Sequence, residues 1–343
     1  MRRVASGSIT SVAAMACAAV VGMAGLTACG GGDDAPAADS SPAEVVGGGD
    51  LAPLTWPLTG LDADQSTALT HPVYIAKIDN TSSSDPQIGL GEADMVVEEL
   101  VEGGITRLAA FYYSELPTKV GPIRSMRLTD VDIASPVGAR LVSSGAASQT
   151  ISGLNSAGVK FYNMSNNNAV VRDDDGTHDY LHSVMADLDL LAEEGQIAEA
   201  RPDDYFDFGT EDEWEGPLKA GTVDVQMSGS RTSQWKFENG RYRLLNGYMG
   251  DGDEFVADTL ITASVKVTEA PYVDPAGNPV PVSHFEGRGT AVLFHGGQAV
   301  RATWHKDGVD DQVTFTTKSG EVLVPAGHTW LHLVPTTGGT TFN

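Results

Sequence analysis

Residues 95–113 read MVVEELVEGGITRLAAFYY, two apolar runs separated by Gly103-Gly104. Paired glycines between strand-forming residues signal a hairpin with a primed turn, because both central positions then accept positive φ. With those two glycines as the turn, Glu102 is expected to face Ile105, Leu100 to face Arg107, and Glu98 to face Ala109. One sheet face then carries Glu98, Glu102 and Arg107, while Val97, Val101, Leu108 and Ala110 share the other. The apolar set is the core side; the charged set is solvated or lines a pocket.

Working outward, His71-Pro72 precedes the apolar run VYIAKI at 73–78, a strand that stops at Asp79-Asn80 and a serine-rich loop. Downstream the pattern alternates: a strand over 139–143, a short helix over 148–157 and a strand over 159–163. Residues 181–194 place Leu181, Val184, Met185, Leu188 and Leu191 at helical spacing. After the acidic stretch 211–215 that spacing disappears. Residues 235–237, 242–245, 259–267, 291–304, 313–317 and 321–324 read as strands between glycine-rich turns. Where Gly296-Gly297 splits such a run, Leu293, Val300, Ala302 and Trp304 fall on one face, with Arg301, Thr303 and His305 opposite. The fold class expected is α+β. A mixed α/β N-terminal domain over 54–216 is followed by a predominantly antiparallel β C-terminal domain over 217–343, packed beside it.

The chain opens MRR, and residues 4–28 carry no further charge and many Ala, Val, Met and Gly. Serines and a threonine interrupt the run, so its purely apolar part falls short of the roughly 20 residues of a spanning helix. This is a cleavable export signal over 1–28, ending in Leu26-Thr27-Ala28-Cys29-Gly30, the pattern of a lipobox. Cys29 is the expected lipid attachment site; an ordinary signal with a chance cysteine is the alternative. Arg2-Arg3 lacks the neighbours of a twin-arginine signal. Residues 29–53 are rich in Gly, Ala, Asp, Ser and Pro with little to bury, a disordered linker.

Cys17 leaves with the signal and an acylated Cys29 forms no disulfide, so the external body depends on its core. The full chain carries a formal charge of −25; losing Arg2 and Arg3 leaves 46 acidic against 19 basic residues, or −27. Such a surface repels nucleic acid and anionic headgroups, so attachment to the membrane has to come from the lipid.

Several long motifs carry a family resemblance. PLTGL at 57–61, IDN at 78–80, PQIGL at 86–90, EADMVVEELVEGGITRL at 92–108 and KVGPIRSMR at 119–127 resemble the YerB-like lipoproteins, whose domain has no assigned function. GRGTAVLFHGGQAVRATWHK and VPAGHTWLHLVP resemble that family's second domain. One segment departs: where the family tends to a basic approach to a His-Asn-Leu-Tyr stretch, this chain has Asp173-Asp174-Asp175-Gly176-Thr177-His178-Asp179-Tyr180-Leu181, which speaks against an anion-binding role for that loop. A fainter similarity, to the LytR-CpsA-Psr phosphotransferases, rests on the order of Asp79, Asp94 and Pro122-Ile123-Arg124 and is an analogy only.

Arg107, Arg124 and Arg127 are the candidate anion-binding residues, since planar guanidinium forks suit phosphate and carboxylate. Asp79, Asp94, Glu98 and Glu102 are the supporting carboxylates, holding a metal or orienting an arginine; plain ion pairing is the competing account. No metal site is assigned. His178 and His182 are four apart but lack a third ligand, and His328 and His332 in a strand sit too far apart to share an ion. Ser233-Gln234-Trp235-Lys236 matches the Ser-x-x-Lys of penicillin-binding enzymes and Lys318-Ser319-Gly320 resembles their later Lys-Thr-Gly, but the first sits in strand-like sequence where it should open a helix, and the intermediate Ser-Asp-Asn is missing. The acidic runs 173–175 and 251–254 do not fit calcium-loop spacing. No cofactor is evident. The favoured function is a non-enzymatic, membrane-anchored lipoprotein that binds a cell-wall glycan or an envelope protein. The alternative is a phosphotransferase or hydrolase on a polyprenyl-linked anion.

Overall fold

The computed structural model describes residues 54–63, 71–174, 176–194 and 201–343. The expected signal over 1–28, Cys29, the linker over 29–53 and Asp175 lie outside the described residues. Among the described residues no helix is long and apolar enough to cross a membrane.

The protein is α+β. Strands β1 (Tyr74–Asn80), β2 (Met95–Leu100) and β3 (Thr106–Tyr112) form its N-terminal sheet order β2-β3-β1, continued by β4 (Arg140–Val142) and β5 (Phe161–Tyr162), which run parallel to β1. Each of β1 and β3 is buried along its whole length, so both faces of this region lie under other structure.

The C-terminal region is predominantly antiparallel β, and it is joined to the first by a shared sheet: Thr329–Pro335 runs parallel between β2 and the long strand Thr259–Val273, and joins strands of both halves into one 13-stranded sheet. Its sequence, TWLHLVP, is buried throughout, as a two-sided central strand has to be. Beyond Thr259–Val273 the sheet continues antiparallel through Gly287–His295, Gln298–Lys306, Thr314–Thr317 and Gly320–Glu321.

A second, five-stranded antiparallel sheet contains Thr222–Gln226, Thr232–Glu238 and Arg241–Leu244 with an alternating pattern of burial. Its inward residues Val223, Val225, Trp235 and Tyr242 pack with Val96, Leu108, Leu260 and Trp330 in one core. The opposite core gathers Val97, Ala109, Phe111, Leu141, Leu154 and Tyr205 with Leu293, Val300, Ala302 and Trp304. Those last four share a face, as their alternation implies.

Two local expectations change. The hairpin turn is three residues, Glu102–Gly104, closed by Val101 N–H donating to the Ile105 carbonyl at 2.9 Å. Both glycines take positive φ, 71° and 73°, but Glu102 joins the turn and moves the register by one. Glu98 therefore pairs with Leu108 and Glu99 with Arg107, while Val97 pairs with Ala109 and Val96 with Ala110. Arg107 shares its face with Glu99, and Glu98 looks the other way. The expected helix over 181–194 is three elements: a 3-10 turn Tyr180–His182, a strand Val184–Ala186 and a helix Leu188–Glu194. Pairing of Val184–Ala186 with Val170–Arg172, and of Val120 with Ala186, outcompetes local helical spacing.

Candidate functional site

Both faces of the β2-β3 hairpin carry a buried polar cluster near its turn. On the face of Arg107, the sheet contributes Lys77 and Asp79 from β1 and Glu99 from β2, the loop after Pro122 contributes Arg124 and Arg127, and the short helix Asp130–Ala134 contributes Asp130. Lys77 is wholly buried in an apolar strand, where an unpaired ammonium is untenable, and its Nζ lies 2.5 Å from both Glu99 Oε1 and Asp130 Oδ1. Burial pushes the Glu99 carboxyl up despite Lys77, and its Oε2 has no donor.

The three arginines converge. Arg127 is held bidentately by Glu102, Nε to Oε1 at 2.7 Å and Nη2 to Oε2 at 2.6 Å. Burial alone would lower its pKa; the Glu102 carboxylate more than offsets this and raises it. Arg124 Nε lies 3.1 Å from Asp79 Oδ2, and its Nη1 donates to the Leu181 carbonyl at 2.6 Å. Asp79 Oδ1 accepts from the N–H and hydroxyl of Thr81. Arg107 is 4% exposed and donates through Nη1 to the Ser125 carbonyl at 2.8 Å, but its buried Nε has no acceptor. Burial, with the charges of Arg127 and Arg124 beside it, pulls the Arg107 pKa down to about 10.

On the opposite face Glu98 is fully buried and accepts from Thr106 Oγ1 at 2.7 Å, Ser233 Oγ at 2.9 Å and Asn80 Nδ2 at 3.3 Å. Arg231 Nε stands 3.4 Å away and His332 Nδ1 3.0 Å away. Trp235 Nε1 donates to His332 Nε2 at 3.1 Å, and since an indole only donates, the proton of a neutral His332 sits on Nδ1, toward Glu98. Burial would raise the Glu98 pKa, but His332, Arg231 and Thr106 together hold it at about 2. This network fastens the five-stranded sheet to the hairpin.

The structure therefore brings Arg107, Arg124, Arg127, Asp79 and Glu102 together, places Glu98 behind them, and sets Asp94 elsewhere. Asp94 accepts from the Tyr113 and Ser114 amides, at 2.6 and 3.0 Å, and from the Ser114 hydroxyl, locking the chain where it leaves β3. Ser233 lies in a strand, buried against Glu98, so the Ser-x-x-Lys match has no exposed nucleophile. His182 Nδ1 meets Asp179 at 2.8 Å, and His178 Nε2 lies 3.0 Å from the Pro86 carbonyl. His328 pairs with Asp258 while His332 is at Glu98, so the two do not meet. No group of three or more metal-ligating residues forms among the described residues. The sequence reading missed Lys77, Glu99 and Asp130; a lysine inside the apolar run VYIAKI was the available signal, since it demands buried partners.

One mixed sheet with an antiparallel sheet on one face, and a charged cluster on each face of its hairpin, defines an α+β protein built from two successive family regions. The family models described as protein of unknown function (DUF3048), N-terminal domain and C-terminal domain, match residues 58–201 and 223–331, and the chain belongs to that family. It is 45% identical over 74 residues to the "Putative lipoprotein YerB" of Bacillus subtilis (strain 168), a match covering 22% of this chain and 22% of that relative's length. The crystal structure of the YerB protein from Bacillus subtilis superposes with a TM-score of 0.69 at 19% identity, covering 84% of this chain and 99% of the other, and shows the same fold.

Proposed function

We propose that this chain is a membrane-tethered extracytoplasmic binding protein, lipidated at Cys29, that holds an anionic group of a cell-envelope ligand at Arg107 and Arg124. The tether draws support from Leu26-Thr27-Ala28-Cys29 and from the lipoprotein naming of the relative in Bacillus subtilis. The observation that carries the site is Arg107, a buried guanidinium with an unsatisfied Nε, beside two further arginines that depress its pKa. A phosphate or carboxylate supplies the acceptor and relieves the repulsion. Arg124, with a side chain 28% exposed, is the most exposed of the three arginines and the one an arriving anion meets first.

Binding is favoured over turnover because three carboxylates of the cluster are already committed and the fourth, Glu99, is wholly buried against Lys77. Asp79 serves Thr81 and Arg124, Glu102 serves Arg127, and Asp130 serves Lys77 and the Arg127 amide. A phosphotransferase or hydrolase on a polyprenyl-linked anion draws on Asp79 standing beside Arg124, but Asp94, the other acid it would use, is bound to Tyr113 and Ser114.

Thermal unfolding of the full-length protein in detergent, with and without inorganic pyrophosphate, tests this. A ligand at 100 times its Kd adds about 2.7 kcal/mol of stability. The expected result is a rise in Tm that Arg124→Ala removes. No rise with pyrophosphate, or an undiminished rise in the variant, overturns the proposal.

A further inference from the structure

The strand Gln298–Lys306 is paired along its inner edge with Gly287–His295, from His295↔Gln298 to Gly287↔Lys306. Its outer edge is paired only at the ends. Leu218–Lys219 covers Ala299 and Gln298, and Thr314–Thr317 covers Thr303, Trp304 and His305. Successive residues of an antiparallel strand turn their backbone groups to alternate edges. The two-residue turn at Gly296-Gly297 makes His295↔Gln298 the closing bonded pair, so residues 298, 300, 302, 304 and 306 bond inward and Ala299, Arg301, Thr303 and His305 face outward. The Gly297 carbonyl, which accepts from the Ala220 N–H on the outer side, has the same phase. Arg301 thus turns its N–H and C=O to a gap that no strand fills among the described residues.

That gap opens into a groove of about 950 Å³. Trp214, Pro217, Val300, Val322 and Leu323 make its apolar walls. Gly216 sits so close to the strand that a Cβ there would come within 2.6 Å of Gln298 Cβ, which fixes the wall carrying Trp214. The Trp214 Nε1, beside Gly216, is buried without an acceptor. The rim carries Glu213, Glu215 and Glu321 against Lys318, and the Arg301 guanidinium stands 5.1 Å over the Phe342 ring.

We propose that this groove takes an extended peptide segment of a partner protein, with apolar and basic residues in alternation, which adds its backbone at Arg301. An unfilled rung calls for a donor and an acceptor at the spacing of a peptide backbone, and the indole N–H calls for a carbonyl. Alternate side chains of an added strand face the apolar walls, and the intervening ones reach the rim. Three glutamates there, in a chain of net charge −25, select lysine or arginine.

The probe is an acetylated, amidated heptapeptide alternating lysine and valine, titrated into the full-length protein by calorimetry. Saturable one-to-one binding is expected. N-methylation of one alternate set of amides lowers affinity at least tenfold while methylation of the other set does not, the signature of strand addition. The glutamate-for-lysine peptide does not bind, and Trp214→Phe, which keeps the ring and loses the donor, weakens binding severalfold with Tm unchanged. Absence of binding by the lysine-valine peptide, equal loss from either methylated set, or equal binding of the glutamate peptide overturns the proposal.

Discussion

Replacing Glu98 by Gln keeps the shape of a buried carboxylate and removes its charge. Glu98 holds Arg231 and His332 and accepts from Thr106 and Ser233, and its pKa of about 2 stands well below the ordinary 4.5. A depression of that size corresponds to about 3 kcal/mol at 1.36 kcal/mol per pH unit. Because the folded pKa is the lower one, this stabilisation is fully present above about pH 5 and is lost as pH falls toward 2. The difference between wild type and Glu98→Gln is therefore expected to be about 3 kcal/mol at pH 7, or about 5 °C in Tm for a body of this size, and roughly 1 kcal/mol at pH 3. Urea unfolding followed by tryptophan fluorescence at both pH values measures it. A cost below 1 kcal/mol at pH 7, or one equal at the two pH values, refutes the reasoning.

Lys77→Met leaves Glu99 and Asp130 buried without their cation and is expected to cost about 3–5 kcal/mol in the same denaturation assay; a negligible cost contradicts the buried triad. Gly289→Ala puts a Cβ 2.6 Å from Trp304 Nε1, and closer still to the Ser264 carbonyl that Trp304 bonds, so a loss of about 1–3 kcal/mol with an altered tryptophan emission is expected. Cys29→Ser moves the protein from the membrane pellet to the soluble fraction; an unchanged distribution removes the lipid tether from the account.

Much of the fold was legible because alternation survives burial. Leu293, Val300, Ala302 and Trp304 reported their shared face directly, and the short helix expected over 148–157 is Ser148–Ser156. What failed was decided by partners far away in the chain. Val184 and Met185 have helical spacing relative to Leu188 and Leu191, but become a strand because Val170–Arg172 offers an edge. Met95 to Leu100 gives no hint that its second neighbour is Thr329–Pro335, more than two hundred residues on, since parallel pairing leaves no local turn signal.

The arginine cluster was legible in the sequence, with Arg107, Arg124 and Arg127 close together in the N-terminal region of an acidic chain. Its wiring was not, because one added turn residue, Glu102, exchanges which of Glu98 and Glu99 shares a face with Arg107. That single step separates a pocket carboxylate from a structural one. It also explains why the buried pair Glu98 and His332 escaped notice: neither side chain meets its partner until two distant strands lie side by side.

Titration of the full-length protein, labelled with nitrogen-15 in its arginines, with inorganic pyrophosphate tests the anion site most directly, through the guanidinium Nε–H resonances. The account predicts that Arg107 and Arg124 shift saturably while Arg127, chelated by Glu102, moves little. Shifts confined to exposed arginines such as Arg243 and Arg288, or none at all, would contradict it.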